Sequence, residues 1–272
     1  MRVDEVRLVE LLTLESRGLD AFIGLAVAYP WGPRLYGGQV VAQGLVAGAM
    51  TVDDTRRAHS LHAYFIRPGT HTEPVRFEVQ RLRDGRSFSV RQVTALQSSG
   101  AILSMLISFQ TPEDEADVPM ASPIPDLLGP DDASMSDEGW GKMLERHTPP
   151  LDTGNPGHWI RVAADHAHEL GGDPVLEAAA LAFISDAAPT RPVRALHPDL
   201  RGDRTDLGQF TGASLDHSMW FHRDGEIAEW HWFGLRAHGL AGARGVATGD
   251  VFALDGTHRA TLSQQVLLRR VT

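Results

Sequence analysis

Residues 36–50, YGGQVVAQGLVAGAM, carry no charge and are apolar or small almost all the way round. A helix without a polar face must be buried on every side, so the rest of the fold has to wrap it. Gly37 and Gly38 open the segment, where the backbone can approach a neighbour closely. Period-2 runs follow at 61–67, 74–82, 87–96 and 101–110. They are separated by Pro68-Gly69, Asp84-Gly85 and Ser98-Ser99-Gly100. Alternating runs with hairpin turns between them predict an antiparallel meander.

The second half of the chain repeats this plan. Asp173 and Pro174 form an N-cap followed by proline at the first helical position. The apolar run 175–188, VLEAAALAFISDAA, comes next and Pro189 stops it. Segments 214–222, 229–235, 245–254 and 257–268 then alternate like strands, with turns at Asp224-Gly225 and Asp255-Gly256. One apolar helix followed by an antiparallel sheet, twice over, predicts an α+β chain in which each sheet curls round its helix: a double hot-dog. The same periodicity is also compatible with two unrelated α+β domains.

Between the halves, residues 111–139 hold nine acidic residues and no Lys or Arg, so nine of the ten excess negative charges of the chain lie there. The stretch also carries Pro112, Pro119, Pro123, Pro125 and Pro130. Proline fixes φ and removes a donor, so a solvated linker is expected. The division is then 1–111 for an N-terminal domain, 112–149 for an acidic linker and 150–272 for a C-terminal domain. The remainder is nearly neutral and has no basic cluster, which argues against a nucleic-acid partner. No run approaches the roughly 18 apolar residues of a membrane span. The first seven residues mix acid and base with no apolar stretch behind them, so no signal peptide is expected. The absence of cysteine excludes disulfides, thiolate nucleophiles and zinc–thiolate sites. These features fit a cytoplasmic chain.

The strings RLYGGQVVAQGL (34–45), HSLHAYFIRPG (59–69), LRDGRSFSVRQV (82–93) and SLDHSMWFHR (214–223) resemble the type II acyl-CoA thioesterase family. The resemblance implies a TesB-like double hot-dog hydrolysing acyl-CoA to free acid and coenzyme A. It implies no metal, nucleotide or redox cofactor, and a homo-oligomer, dimer or tetramer. Such proteins hold a water with an Asp, a Ser or Thr, and a Gln. The matching positions here are Asp186 in AFISDAA, Ser214 in ASLDHSM and Gln264 in TLSQQVLL. Gln265 is adjacent, and a one-residue slip would exchange the two glutamines.

Asp186 stands out without the resemblance, because it closes a helix whose other residues are largely apolar. A carboxylate buried there needs partners or a function, and at a helix C-terminus it opposes the helix dipole. Ser214 and Gln264 alone read as ordinary strand residues. Together the three supply a general base and two groups to orient water. Backbone N–H groups at Gly37 and Gly38 could face a developing oxyanion; close helix–sheet packing explains the same glycines equally well. Arg67, Arg86 and Arg91 are candidates for the coenzyme A phosphates, with Arg34 and Arg223 also available. Trp220, Phe221, Trp230 and Trp232 are candidate core, interface or acyl-tunnel residues.

Three lookalikes fit less well. Gly212–Asp216 lacks the final glycine of a nucleophile elbow and sits in a meander, so His217 beside Ser214 is not thereby a triad base. Asp152 and His158 flank Asn155-Pro156 much as in hot-dog hydratases, with one residue too many before the Asn. They define the alternative of an enoyl-CoA hydratase; a non-catalytic acyl-CoA binder is another. The thirteen histidines offer no helical ligand pair with an acidic third ligand, and His166 and His168 are expected at the surface.

Overall fold

The computed structural model describes residues 1–118, 130, 134–135, 140, 142–148, 157–200 and 210–271. The N-terminal half contains α1 (Leu8–Leu12), β1 (Glu15–Ser16), β2 (Ala21–Gly24), α2 (Gly37–Ala49), β3 (Arg57–Phe65), β4 (Val75–Asp84), β5 (Phe88–Gln97) and β6 (Gly100–Gln110). The C-terminal half contains β7 (Ser134–Met135), β8 (Leu144–Thr148), β9 (His158–Val162), α3 (Ala164–His168), α4 (Pro174–Ser185), α5 (Thr190–Leu196), β10 (Phe210–Ser214), β11 (Asp216–Phe221), β12 (His231–Ala241), β13 (Arg244–Ala253) and β14 (His258–Arg270).

The strands form one continuous antiparallel sheet in the order β1-β2-β4-β5-β6-β3-β11-β14-β13-β12-β9-β8-β7, with β10 on the far part of β14. Its two halves correspond strand for strand: β3-β6-β5-β4-β2 on one side and β11-β14-β13-β12-β9 on the other. They meet edge to edge where β3 pairs β11, from Tyr64 opposite Asp216 to Ser60 opposite Trp220. This closes the edge each half would otherwise leave open. It is the expected double hot-dog, with α2 and α4 as the two wrapped helices.

Nearly all of α2 is buried, as its uncharged sequence requires. Its two glutamines are buried too, and they bind backbone instead of water. Gln39 Nε2 donates to Leu25 O at 2.8 Å, and Gln43 Nε2 to Leu11 O at 2.8 Å and Leu25 O at 2.9 Å. They tie the N-terminal segment to the helix, since a buried amide must find partners. Asp173 caps α4, accepting from the backbone N–H of Val175 at 2.8 Å.

Some elements depart from expectation. The run 214–222 is two strands interrupted at Leu215. Strand β8 lies inside the stretch expected to be linker, yet it pairs with β9 from Leu144 opposite Val162 to His147 opposite Trp159. His166 is buried, and its Nδ1 accepts from the Leu8 backbone N–H at 3.2 Å. Residue spacing alone does not reveal that α1 packs over α3 and covers this ring. His168 is exposed, as expected.

Candidate active site

Helices α2 and α4 pack so that the C-terminal end of α4 meets the N-terminal end of α2. Asp186, the C-cap of α4, lies in this junction and is only 7% exposed. Its Oδ2 accepts from the Gly38 backbone N–H at 2.9 Å, and its Oδ1 from the Ser214 hydroxyl at 2.8 Å. Gln264 Nε2 donates to Ser214 Oγ at 2.8 Å. Gln264 is buried and points inward, whereas the backbone N–H of Gln265 bonds the Asp216 carboxylate at 2.7 Å. The three residues expected from different parts of the chain are thus brought together, with Gln264 and not Gln265 at the site. Tyr36 donates its hydroxyl to Phe183 O at 2.6 Å and staples the two helix ends.

A β-bulge makes this convergence possible. Ser214 pairs with Val266, but Ser218 pairs with Ser263, so the strand carries one extra residue between them. Leu215 is that interruption; its N–H donates to Gln265 O at 2.9 Å and its carbonyl accepts from Phe65 N–H at 3.0 Å. In a regular strand Ser214 and His217 would face opposite sides. Across the bulge both face inward. His217 is buried, with Nδ1 2.5 Å from Gln264 Oε1 and Nε2 2.8 Å from Ser185 Oγ. Reading 214–222 as unbroken alternation hides this residue; the Leu-Asp step after Ser214 gives no composition cue for a bulge.

Burial is the largest influence on Asp186 and raises its pKa above the ordinary aspartate value; His217, the Ser214 hydroxyl, the Gln264 amide and the Gly38 N–H act in the opposite direction. Its own helix disfavours an anion at that end, while the start of α2 presents positive dipole and free N–H groups to it. The result is a carboxyl held in place by donors yet more basic than one in water, which suits a general base.

Gly37 leaves room beside this carboxyl. A Cβ there would lie 2.7 Å from Asp186 Oδ2 and 2.8 Å from Phe65 Cε1. The Gly37 N–H finds no acceptor among the described residues, whereas the Gly38 N–H is taken by Asp186. Of the glycine pair expected to face an oxyanion, Gly37 alone keeps a free donor. Around the same junction Tyr29, Trp31, Tyr36, Trp140 and Phe183 form an aromatic cluster, with Tyr36 and Trp140 centroids 4.5 Å apart. The strand tryptophans named from sequence lie elsewhere: Trp230 and Trp232 cluster with Trp159 and Phe252, and Trp220 is on the outer sheet face.

The arginines separate by position. Arg67 is exposed two residues beyond Phe65 and donates to Ala101 O at 3.0 Å; Arg34 is exposed three residues before Gly37. Arg86 is at the β4–β5 hairpin tip, two residues before Phe88, which aligns through Gln110 with the start of β3 at Arg57. Phe65 ends that strand, so Arg86 is on the order of 25 Å away along β3 at about 3.3 Å per residue. Arg91 is buried on β5, level through Ile107 with Leu61 in the middle of β3, and its guanidinium is turned away to Thr51 and Asp84. Its guanidinium donates to Thr51 Oγ1 at 2.8 Å, Thr51 O at 3.0 Å, Arg83 O at 3.0 Å and Asp84 Oδ1 at 2.6 Å. Arg86 and Arg91 therefore do not belong to this site; an alternating strand arginine looks the same in sequence whether it serves a ligand or a buried turn. Arg223 is paired with Asp117.

The other end of the helix pair holds a shallow cleft between Leu45, Ala49, Val175 and Ala178, flanked by Arg57 and Arg259. Met50 caps α2 there as Asp186 caps α4, and Pro174 opens α4 as Gly37 opens α2. The repeat is thus symmetric in fold but carries a capping carboxylate at one end only. Of the hydratase-like pair, Asp152 lies outside the described residues. His158 is buried with Nδ1 2.9 Å from Thr148 Oγ1, and burial pulls its pKa well below the ordinary value.

Fold and site together define a double hot-dog protein with one buried, donor-held carboxyl where its two helices meet. Residues 27–110 match the acyl-CoA thioesterase N-terminal domain and residues 112–268 the acyl-CoA thioesterase C-terminal domain. The chain is 31% identical to "Acyl-CoA thioesterase 2" of Haemophilus influenzae, over 96% of each chain. It is 30% identical to "Acyl-coenzyme A thioesterase 8" of Mus musculus, over 97% of this chain and 89% of the mouse protein. Among solved structures it is similar to the acyl-CoA thioesterase II TesB2 of Mycobacterium marinum, at 30% identity and a TM-score of 0.81, covering 97% of this chain and 98% of that one. The chain belongs to the acyl-CoA thioesterase family, whose members are thioester hydrolases.

Proposed function

We propose that the chain hydrolyses fatty acyl-CoA to the free fatty acid and coenzyme A by direct attack of a water on the thioester carbonyl. Asp186 removes the proton of that water, and Ser214 and Gln264 hold water and carboxyl in line. Attack forms the C–O bond and moves the carbonyl electron pair onto oxygen. Collapse of that tetrahedral intermediate breaks the C–S bond, and the departing thiolate takes the proton held by Asp186, leaving as CoA–SH and restoring the carboxylate. The Gly37 N–H and the second amide hydrogen of Gln264 face the developing oxyanion, in a site where burial strengthens each such bond. The observation that carries this reading is the Asp186 carboxyl itself: buried, bound by Ser214 and Gly38, and bordered by the space at Gly37.

The acyl chain lies against the aromatic cluster of Tyr36, Trp140 and Phe183, and the coenzyme A phosphates reach Arg67 and Arg34 at the open edge. No described helix is long and apolar enough to cross a membrane, and we take the protein to act in the cytoplasm. The exposed Tyr64, Leu106 and Trp220 on the outer face of β3, β6 and β11 favour a homo-oligomer, a dimer or tetramer. Thiol release from saturated acyl-CoAs of increasing length, run beside hydration of an enoyl-CoA, tests the reaction class. Thiol release without hydration is expected. Hydration without thiol release would assign the site to a lyase, and tight acyl-CoA binding with neither would assign it to a carrier.

A further inference from the structure

The catalytic geometry depends on which way one amide points. If Gln264 turned its side-chain amide over, Oε1 would face Ser214 in place of Nε2. The Ser214 hydroxyl would then have an acceptor other than Asp186. Nothing in the Gln264 side chain itself prevents this, because an amide presents its oxygen and its NH2 with nearly the same shape.

His217 removes the ambiguity. The register that sets Ser218 opposite Ser263 brings His217 beside Gln264 on the inner face. Its Nδ1 lies 2.5 Å from Gln264 Oε1, and an amide oxygen only accepts, so Nδ1 carries the hydrogen. Ser185 Oγ lies 2.8 Å from Nε2 and 2.8 Å from Ala182 O at the last turn of α4, and it has a single hydrogen; turned onto Nε2, that hydrogen makes Nε2 the acceptor and leaves Nδ1 as the donor of the ring. Donation then runs in one direction: His217 Nδ1–H to Gln264 Oε1, Gln264 Nε2–H to Ser214 Oγ, Ser214 O–H to Asp186 Oδ1. Ser185 immediately precedes Asp186, so the same helix end holds both termini of the chain of bonds.

We infer that His217 is a positioning residue that fixes the amide orientation of Gln264, with Ser185 locking its ring, so that the Ser214 hydroxyl is directed onto Asp186. The inference rests on the assignment of Asp186 as base made above. It concerns residues that touch neither substrate nor water.

Asparagine places its amide N–H near the position of histidine Nδ1, and glutamine places its own near Nε2. His217→Asn therefore keeps the donor to Gln264, while His217→Gln and His217→Leu remove it. Each is measured with a medium-chain acyl-CoA, beside Ser185→Ala and Asp186→Asn, with melting curves to establish folding. His217→Gln and His217→Leu should lose about tenfold to a hundredfold in kcat at unchanged KM, less than the ~10²–10³ of removing a stabilising donor outright. His217→Asn should stay within about fivefold of wild type, because the donor is retained. The acid limb of the kcat profile should move to higher pH in all three variants, since the His217 ring that favours the charged form of Asp186 is gone, and further in Gln and Leu than in Asn, since only there is the Ser214 hydroxyl lost as well. The ionisable groups facing Asp186 are His217 from β11 and Tyr36 from the start of α2, and Tyr36 is common to all variants. Folded His217→Gln with wild-type kcat and an unmoved acid limb would overturn the inference. So would equal losses in Asn, Gln and Leu, which would mean that only ring volume matters. If the His217 variants do not fold, Ser185→Ala decides: a loss in kcat at constant KM supports the inference, and wild-type kinetics rejects it. If Asp186→Asn is itself active, the assignment of the base fails and the inference falls with it; if it is inactive while His217→Gln is unaffected, the inference alone fails.

Discussion

Replacing Gly38 by alanine should open the junction between the two helices. The added Cβ would run into the carbonyl oxygen of Phe183 and would lie 2.6 Å from Cζ of the Tyr36 ring. The carbonyl belongs to the buried backbone of α4 and already accepts the Tyr36 hydroxyl at 2.6 Å, so neither obstacle can step aside. Overpacking of this kind costs about 1–3 kcal/mol. The better helix propensity of alanine returns at most about 1 kcal/mol. The net loss lowers Tm by roughly 2–4 °C per kcal/mol in a chain of this size. As the helix ends part, the Gly38 N–H leaves Asp186 Oδ2. A hydrogen bond to a charged group contributes about 1.5–3 kcal/mol. Its loss raises the Asp186 pKa further, because a donor that favours the charged form is gone. The base must be ionised to act, so activity rises with pH through that pKa and the acid limb moves up with it. Gly48→Ala is the control on the same helix, because its Cβ would come within 2.8 Å of the tip of the Ile107 side chain, which can rotate away, and would lie in ordinary contact with the Phe109 ring at 3.4 Å. Melting curves and pH–kcat profiles of both variants decide the matter. A Gly38→Ala protein with wild-type Tm and an unmoved acid limb, or a Gly48→Ala protein equally impaired in kcat, would refute the reasoning.

Other consequences are simpler to state. Ser214→Ala should lower kcat by about 10²–10³, the usual effect of losing one stabilising donor, while Ser214→Thr should keep most of it because the hydroxyl is retained; steady-state kinetics on the purified variants checks both. Gln264→Glu sets a second carboxyl beside Ser214 and Asp186, and like charges that close raise one pKa. Its kcat profile should show an acid limb displaced to higher pH, and an unmoved limb would contradict the geometry. Arg91→Leu should cost about 2–3 kcal/mol by leaving Thr51 O and Arg83 O without donors, yet leave KM for acyl-CoA unchanged in the folded protein. A raised KM with normal stability would return Arg91 to the ligand.

The two wrapped helices were legible because nothing but burial accommodates 36–50 or 175–188, and hairpin turns punctuate the strands after each. Asp186 was legible for a related reason, as a carboxyl ending an apolar helix. His217 was not, because its inward orientation depends on the bulge at Leu215, and a bulge shifts every side chain after it without changing composition. The donor from Gly38 depends on the start of one helix meeting the end of another, a contact between residues 148 apart in sequence. Arg91 illustrates the reverse error. Alternation allowed it to be a ligand, and only the packing of β5 against Thr51 and Asp84 reveals a buried structural cation. Strand β8 was hidden because five residues beside an acidic, proline-rich stretch carry too short a period to register.

The account stands most directly on the carboxyl of Asp186, and the decisive measurement is kcat for thiol release by Asp186→Asn beside wild type. Both are assayed on the same acyl-CoA panel at a pH above the acid limb. Asparagine keeps the size of the side chain and can still accept one of its two hydrogen bonds, but cannot take a proton from water. The account predicts a folded variant that binds acyl-CoA with near-normal affinity and has lost nearly all turnover at every chain length. A folded variant that still releases thiol at a rate comparable to wild type would contradict it, and the water-activating group would have to be sought elsewhere in the fold.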